Sequence, residues 1–353
     1  MSEIRTTTQI AEEARDLLTA PVWEYIAGGA ESEATIWRNR EAINSYVFIS
    51  RVLRDVSKID ASTILLGTKL RIPYFLAPIG GLQQVTPGGA ATAGSAAAAF
   101  GTLQVVSSVS EPTLEATAEA STGDKWFQLY IRGDMDWIRA WTARIKKSGY
   151  KALVITVDSA YYGNRERQVI RDWLPQGRKN NITGNEYQKS TTWEDIDRIR
   201  DIWGGPMVLK GIQSAGDAEI ALKHDISAIW ISNHGGRQLD HCRGALDVLP
   251  EVVDVVRGRV PIVVDGGFLR GTDALKAIAL GATAVACGRL YAMALAVAAE
   301  HGVERMLEIL EFEITNAMGL LGVTALDQLS PSYVSKTTTP ASTRAFPLYD
   351  GVF

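Results

Sequence analysis

Eight times along this chain, a short apolar run rich in Val, Ile, Leu and Ala ends on a polar residue, glycine or, once, proline and gives way to a helical stretch. The runs are Tyr74–Pro78, Leu103–Ser107, Trp126–Tyr130, Ala152–Asp158, Met207–Gly211, Ala228–Asn233, Pro261–Gly266 and Ala284–Gly288. Near-continuous apolar runs suit strands covered on both faces, as in a parallel sheet wrapped by helices. Amphipathic segments such as Gly216–Lys223 and Gly271–Leu280 supply the helices. Eight strand–helix units predict a closed (β/α)8 barrel, because open doubly wound sheets usually have fewer strands. The 353 residues would suffice for two average domains, but barrels of this length fold as one unit, so a single domain over 1–353 is expected.

Residues 1–70, ahead of the first run, predict a helical cap. One helix opens at Thr8 or Gln9 and runs through Leu18; a second covers Pro21–Ile26 and is stopped by Gly28 and Gly29. The longest interruption, Glu166–Thr192, holds Pro175, Gly177, Asn180, Asn181 and Gly184 among scattered charges and predicts a mobile, lid-like loop. The tail after Leu329 is rich in Ser, Thr and Pro and is expected to wrap the surface or an oligomer partner.

Composition narrows the class. With 46% apolar and 22% charged residues the chain can bury a large core. A net charge of -4 argues against nucleic acid, whose phosphates want a basic face. No run approaches the roughly 20 apolar residues of a membrane span, and the opening residues lack the basic-then-apolar layout of a signal peptide. Cys242 and Cys287 cannot make a disulfide framework or a zinc site. A cytoplasmic protein is expected.

In such a barrel the active site lies at the C-terminal ends of the strands. Those ends carry Ser107, Gln128, Tyr130, Thr156, Asp158, Lys210, Ser232, Asn233, His234, Asp265 and Arg289, a rim more polar than folding needs. The strongest local signal is Ile231–Asp240, ISNHGGRQLD. His234 directly after a strand, then two glycines and Arg237, brings an imidazole and a guanidinium over one spot. The first can act as a general base near neutral pH, and the second can grip a carboxylate at two points. A lone histidine there would more often satisfy a loop carbonyl; the paired arginine favours the chemical reading. After the last two runs, Gly266, Gly267, Gly271 and Gly288 allow backbone amides to approach a phosphate, with Arg270 and Arg289 adding charge. Lys210 ends an otherwise apolar run, where burial is costly unless an anion or developing negative charge compensates.

With SNHGGRQLD and the DGG…GTD…KA…GA…GR series in view, the chain resembles the FMN-dependent 2-hydroxy acid oxidase/dehydrogenase family, whose members include glycolate oxidase, lactate oxidase and mandelate dehydrogenase. The likeness runs from about Ala20 to Gly322. It implies oxidation of an (S)-2-hydroxy acid to the 2-oxo acid on bound FMN. The flavin ring would lie over Pro78, Ile79 and Gly80, with Ser107, Gln128 and Thr156 in contact and Lys210 beside N1 and O2. Ser232 would lie on the cofactor side of the rim. The phosphate would be held by Asp265, Gly266, Gly267, Arg270, Gly288 and Arg289. Arg237, Arg165 and Tyr25 would bind the substrate carboxylate, and Tyr130 its hydroxyl. His234 would remove a proton, with Asp158 stabilising the imidazolium; hydride and carbanion routes both stay open. The acceptor would be oxygen or a quinone or other redox carrier, and the assembly a homo-oligomer, tetramer or octamer.

The chain departs from the family pattern at four places. Leu269 replaces a phosphate-binding arginine, which shifts the load to Arg270, Arg289 and backbone amides. Val109 stands where glycolate oxidase has a tryptophan over the substrate, Ile26 where a second tyrosine is common, and Gly80 where several oxidases have alanine. With Val109 lining the substrate space, a bulky substrate side chain is expected. Thr191–Gly211 and the LSPSYV tail also resemble a subgroup that modifies peptide-derived redox cofactors, so a flavin-dependent tailoring enzyme on the same barrel is the alternative. A nicotinamide enzyme is disfavoured, since no G-x-G-x-x-G follows an early strand. A silent binding protein is disfavoured by the presence of His234, Arg237, Arg165 and Lys210.

Overall fold

The computed structural model describes residues 4–175 and 184–337. Eight parallel strands close into a barrel: β1 (Tyr74–Leu76), β2 (Gln104–Ser107), β3 (Lys125–Leu129), β4 (Leu153–Thr156), β5 (Met207–Ile212), β6 (Ala228–Ile231), β7 (Ile262–Val264) and β8 (Ala284–Cys287). Each pairs with its sequence neighbour, and β8 closes on β1 through Ala286↔Phe75. Every strand lies within its predicted run or one residue from it, and most are shorter, because the last residues of each run leave the ladder to form the rim.

Alternate side chains divide the strands' burial between two compartments, as a period of two requires. Phe75, Val105, Trp126, Val154, Val208, Trp230 and Val263 fill the barrel interior. Phe75 meets Trp230 edge to face at 5.2 Å. The interior is closed by Leu65 and Leu70, from an antiparallel hairpin of Thr63–Leu65 with Thr68–Leu70. Neighbouring residues such as Leu76, Val106, Phe127 and Ile155 face the surrounding helices.

The cap contains the two expected helices, α1 (Thr7–Leu17) and α2 (Ala20–Ala27, ended by Gly28), and a third, α3 (Ala34–Asn44). Thr6 caps α1 by accepting from the Gln9 N–H. The expected loop over 166–192 is not irregular throughout: Glu166–Ile170 and Asn185–Ser190 are helical, while 176–183 lie outside the described residues. The beginning of the tail does lie on the surface, where Val334–Lys336 pairs antiparallel with Tyr46–Phe48; its remainder lies outside the described residues. No helix of the described residues is long and apolar enough to cross a membrane.

Candidate active site

After β6 the chain makes three successive left-handed residues, His234, Gly235 and Gly236, with φ of 58°, 62° and 75°. For a histidine this conformation costs about 1–2 kcal/mol. It is held by the His234 N–H donating to Ser232 Oγ at 3.0 Å and the Gly236 N–H donating to Asn233 Oδ1 at 3.1 Å. The turn brings the imidazole over the barrel mouth. Its Nδ1 lies 2.9 Å from Asp158 Oδ1, and its Nε2 is 3.5 Å from the Tyr130 hydroxyl. Burial pushes the Asp158 carboxyl up, but His234, Lys210 and the Ser159 hydroxyl outweigh it and hold the group below its ordinary range. An ionised Asp158 can only accept, so Nδ1–H donates and Nε2 keeps its lone pair. Burial lowers the His234 pKa, Asp158 opposes this, and Lys210 and Arg165 reinforce it; the net direction is down.

Lys210, within β5, is buried, with Nζ 2.8 Å from Ser232 Oγ and 3.2 Å from Asp265 Oδ2. Ser232 in turn donates to Asp265 Oδ1 at 2.7 Å, and Trp230 Nε1 donates to Oδ2 at 3.0 Å. Burial works against the ammonium, yet Asp265, Asp158 and Tyr130 raise its pKa, so the cation persists. A compensated positive charge is thereby fixed beneath the cavity.

Arg237 and Arg289 both reach the carbonyl end of α2. Arg237 donates to the Gly28 carbonyl at 2.7 Å; Arg289 donates to Gly28 at 3.1 Å, to Ile26 and Ala27 at 3.2 Å each, and to Gly235 at 2.7 Å. Cations at a helix C-terminus are favourable there. The Arg237 guanidinium lies 5.0 Å from the centre of the Tyr25 ring, whose hydroxyl donates to the Gly80 carbonyl at 2.7 Å. Arg165 is buried beside them, held by the Tyr162 hydroxyl at 2.6 Å and the Arg237 carbonyl at 3.1 Å. One cavity is lined by Tyr25, Tyr130, Arg165, Lys210, His234, Arg237 and Arg289 together with Pro78, Ile79, Gly80, Val109, Asp265, Gly266, Gly267 and Gly288. It combines an imidazole, several cations and an apolar wall.

Ser107, Gln128 and Thr156 are buried at the ends of β2, β3 and β4. Ser107 Oγ donates to Gln128 Oε1 at 2.9 Å. Gly266 and Gly267 have φ of 101° and 83°, which L side chains rarely adopt.

Arg270 is placed differently from the expectation. It does not line the cavity; its guanidinium meets Glu313 Oε1 at 3.0 Å and Thr8 Oγ1 at 2.7 Å, tying α1 to the last long helix. Leu269, next to it, does line the cavity.

Several residues of the site were not singled out in the sequence. Gln188, buried, accepts from the Ile131 N–H at 2.8 Å and donates to the Thr156 carbonyl at 3.0 Å, holding the ends of β3 and β4. Asn39 and Asn233 exchange amide hydrogen bonds of 2.9 and 2.7 Å. Arg40 makes a bidentate, buried pair with Asp273 and donates to the Gly267 carbonyl at 3.0 Å. Asp240 accepts from the Thr35 and Ala34 N–H groups and so caps α3 from the far end of the signature run. Of these, Asn233 reads from the sequence as a strand-end residue, Asp240 closes ISNHGGRQLD and Asp273 closes the GTD of the glycine series, while Gln188, Asn39 and Arg40 carry no local signal.

Residues 14–181 and 171–336 match the FMN-dependent dehydrogenase family. Glycolate oxidase 3 of Arabidopsis thaliana is 35% identical, over 94% of this chain and 96% of its own length. Glycolate oxidase of Spinacia oleracea is 33% identical, over 97% and 99%. Among solved structures, a mandelate oxidase variant with 2-hydroxy-phenylacetamide superposes with a TM-score of 0.88 at 32% identity, covering 95% of this chain and 99% of that one. A soluble mutant of the membrane-associated (S)-mandelate dehydrogenase from Pseudomonas putida gives 0.89 at 29% identity, covering 95% and 100%.

The site fits FMN by its own chemistry. Gln128 Nε2 is fully buried and, among the described residues, has no hydrogen-bond partner, which is costly unless a ligand acceptor meets it. The cation of Lys210 suits a ring that gains negative charge, and the side-chain-free backbone at Gly266, Gly267 and Gly288 suits a phosphate arm.

Proposed function

The chain belongs to the FMN-dependent dehydrogenase family, and from that premise we propose that it oxidises an (S)-2-hydroxy acid with a bulky side chain to the 2-oxo acid. The observation that carries the reading is the His234–Asp158 pair at 2.9 Å, placed over the same cavity that Arg237 and Arg165 line.

In this reading, Arg237 and Arg165 hold the substrate carboxylate, and Tyr25 helps to orient it. A planar guanidinium suits this because it offers parallel N–H donors at carboxylate spacing. Tyr130 contacts the substrate hydroxyl. His234 Nε2 accepts a proton from the substrate, and Asp158 stabilises the imidazolium that results. Bound FMN supplies the two-electron acceptor. Pro78, Ile79, Gly80, Ser107, Gln128 and Thr156 would hold its ring, with Lys210 and the neighbouring Ser232 on the N1 and O2 side. Asp265, Gly266, Gly267, Gly288 and Arg289 would hold its phosphate arm. Val109 and Ile26 supply an apolar wall, and burying a methylene-sized group against such a wall contributes about 0.8 kcal/mol.

Anaerobic mixing of the FMN-loaded protein with glycolate, lactate, 2-hydroxyoctanoate and mandelate tests the reading. The flavin band should bleach, fastest with the bulky acids. A clear optimum at glycolate would sink the bulky-substrate part, and no bleaching with any of them would sink the whole.

A further inference from the structure

The signature run contributes more than its histidine and arginine. Gln238, immediately after Arg237, is buried and uses both ends of its amide. Nε2 donates to the backbone carbonyls of Asp158 at 3.1 Å and Tyr161 at 2.8 Å. Oε1 accepts from the Gly163 N–H at 3.3 Å and from Arg165 Nη2 at 3.3 Å. Two donors and two acceptor sites are all that a primary amide has, so this side chain is fully satisfied.

All four partners lie between Asp158 and Arg165, the stretch that leaves β4. Its two ends are the residue that meets the imidazole and one that lines the carboxylate side of the cavity. The two backbones also touch: a Cβ on Gly163 would collide with the carbonyl oxygens of Arg237 and Gln238, and Arg165 Nε donates to the Arg237 carbonyl at 3.1 Å.

We propose that Gln238 is a positioning residue, which sets the loop leaving β4 against the loop leaving β6 and so fixes Asp158 on His234 and Arg165 beside Arg237 as one unit. The proposal rests on the functional reading above. Gln238 itself touches no substrate; it acts through the two groups it places. Methionine there keeps the volume and removes every bond. Glutamate keeps the acceptors for Gly163 and Arg165 but sets a carboxylate against the Asp158 and Tyr161 carbonyls.

The test compares FMN-loaded wild type, Gln238→Met and Gln238→Glu by anaerobic flavin reduction, by oxalate binding read from the flavin spectrum, and by isotope-labelled histidine NMR titration. The chain has 4 histidines, so the His234 signal can be isolated. The ionisable groups facing that imidazole are Asp158 and Arg165 from this stretch, Lys210 from β5 and Tyr130 from the end of β3. Gln238→Met should reduce flavin about 100-fold more slowly at saturating substrate, the scale of a misplacement near 1 Å. Its oxalate binding should weaken, and its His234 midpoint should fall because Asp158 no longer supports the cation. Gln238→Glu should lose rate in the same way while keeping more of the oxalate affinity, but its new carboxylate, set beside Arg165, opposes the fall of the His234 midpoint. A folded, yellow Gln238→Met with wild-type reduction rate and an unmoved His234 midpoint overturns the proposal, as does a lowered melting temperature with the midpoint unmoved. Should Gln238→Met not fold, Gln238→Glu with wild-type rate and wild-type oxalate affinity overturns it equally. A wild type whose flavin no hydroxy acid reduces removes the functional reading instead, and the His234 midpoint still decides the role of Gln238.

Discussion

Gly80 and Val109 share one volume: a Cβ added at position 80 would lie 2.6 Å from Val109 Cγ2. The absence of a side chain at Gly80 therefore does not leave a void beside the ring site, because Val109 already occupies it. Gly80→Ala should lower the flavin-reduction rate by displacing Val109, and adding Val109→Ala should restore much of it. Groups in contact typically couple by 0.5–3 kcal/mol, so additive effects of the two substitutions in a double-mutant cycle would contradict the shared volume. Val109→Trp should move the substrate optimum toward glycolate.

His234→Ala should slow flavin reduction by roughly 10²–10⁴-fold or more while FMN stays bound, the range of a positioned base plus its lost charge. A variant keeping over a tenth of the rate would make the histidine structural. The pH dependence follows from the same group. If His234 is the base it must be neutral to act, and burial holds its pKa below the ordinary 6.5, so kcat/KM should fall as pH drops through a midpoint below that value. Asp158 raises that midpoint, and Asp158→Asn should therefore move it lower still while reducing the plateau. A midpoint above 6.5 in wild type would contradict the arrangement.

Arg237→Lys should weaken capture of the acid substrate, since an ammonium cannot reproduce a two-point planar grip. The informative comparison is an acid and its methyl ester. Wild type should favour the acid strongly and the variant should lose most of that preference. Equal turnover of both by wild type would mean that no carboxylate is recognised.

Arg270 and Leu269 should separate stability from cofactor affinity. Arg270→Ala should cost about 1 kcal/mol of stability, limited because the Arg270–Glu313 pair is partly exposed, and should leave the FMN dissociation constant nearly unchanged. Leu269→Arg should tighten FMN, because position 269 lines the cavity and a cation there would meet the phosphate arm proposed beside it. Calorimetry and FMN release on dialysis measure the two; a large FMN loss in Arg270→Ala would restore Arg270 to the phosphate site.

The barrel was legible because its signal is local. Eight apolar runs mark eight strands, and helix-stopping Gly28 marks the end of α2 where the structure has it. What escaped is nonlocal. α3 begins after Glu33, in a left-handed conformation and without a side-chain cap of its own, and its N–H groups are met by Asp240 from about 200 residues away. Gln188 looked like one polar residue in a polar stretch; only the return of the chain to β3 and β4 reveals its two bonds. Arg270 sits in the expected turn, but Glu313 and Thr8, far off in sequence, claim its side chain.

The cap of α3 by Asp240 gives the signature run two unrelated constraints. In the proposed reaction its histidine end answers to chemistry, while its aspartate end answers to the start of a helix that carries Asn39 and Arg40 against the barrel loops. Burial raises the Asp240 carboxyl, but hydrogen bonds from the Thr35 N–H and the Ser32 hydroxyl hold it down to about 2, so the cap stays ionised at neutral pH. A screen for lost turnover would thus score Asp240 beside His234, although one damage would be in assembly and the other in proton transfer. Only a measurement of folded fraction alongside rate would tell these two kinds of failure apart.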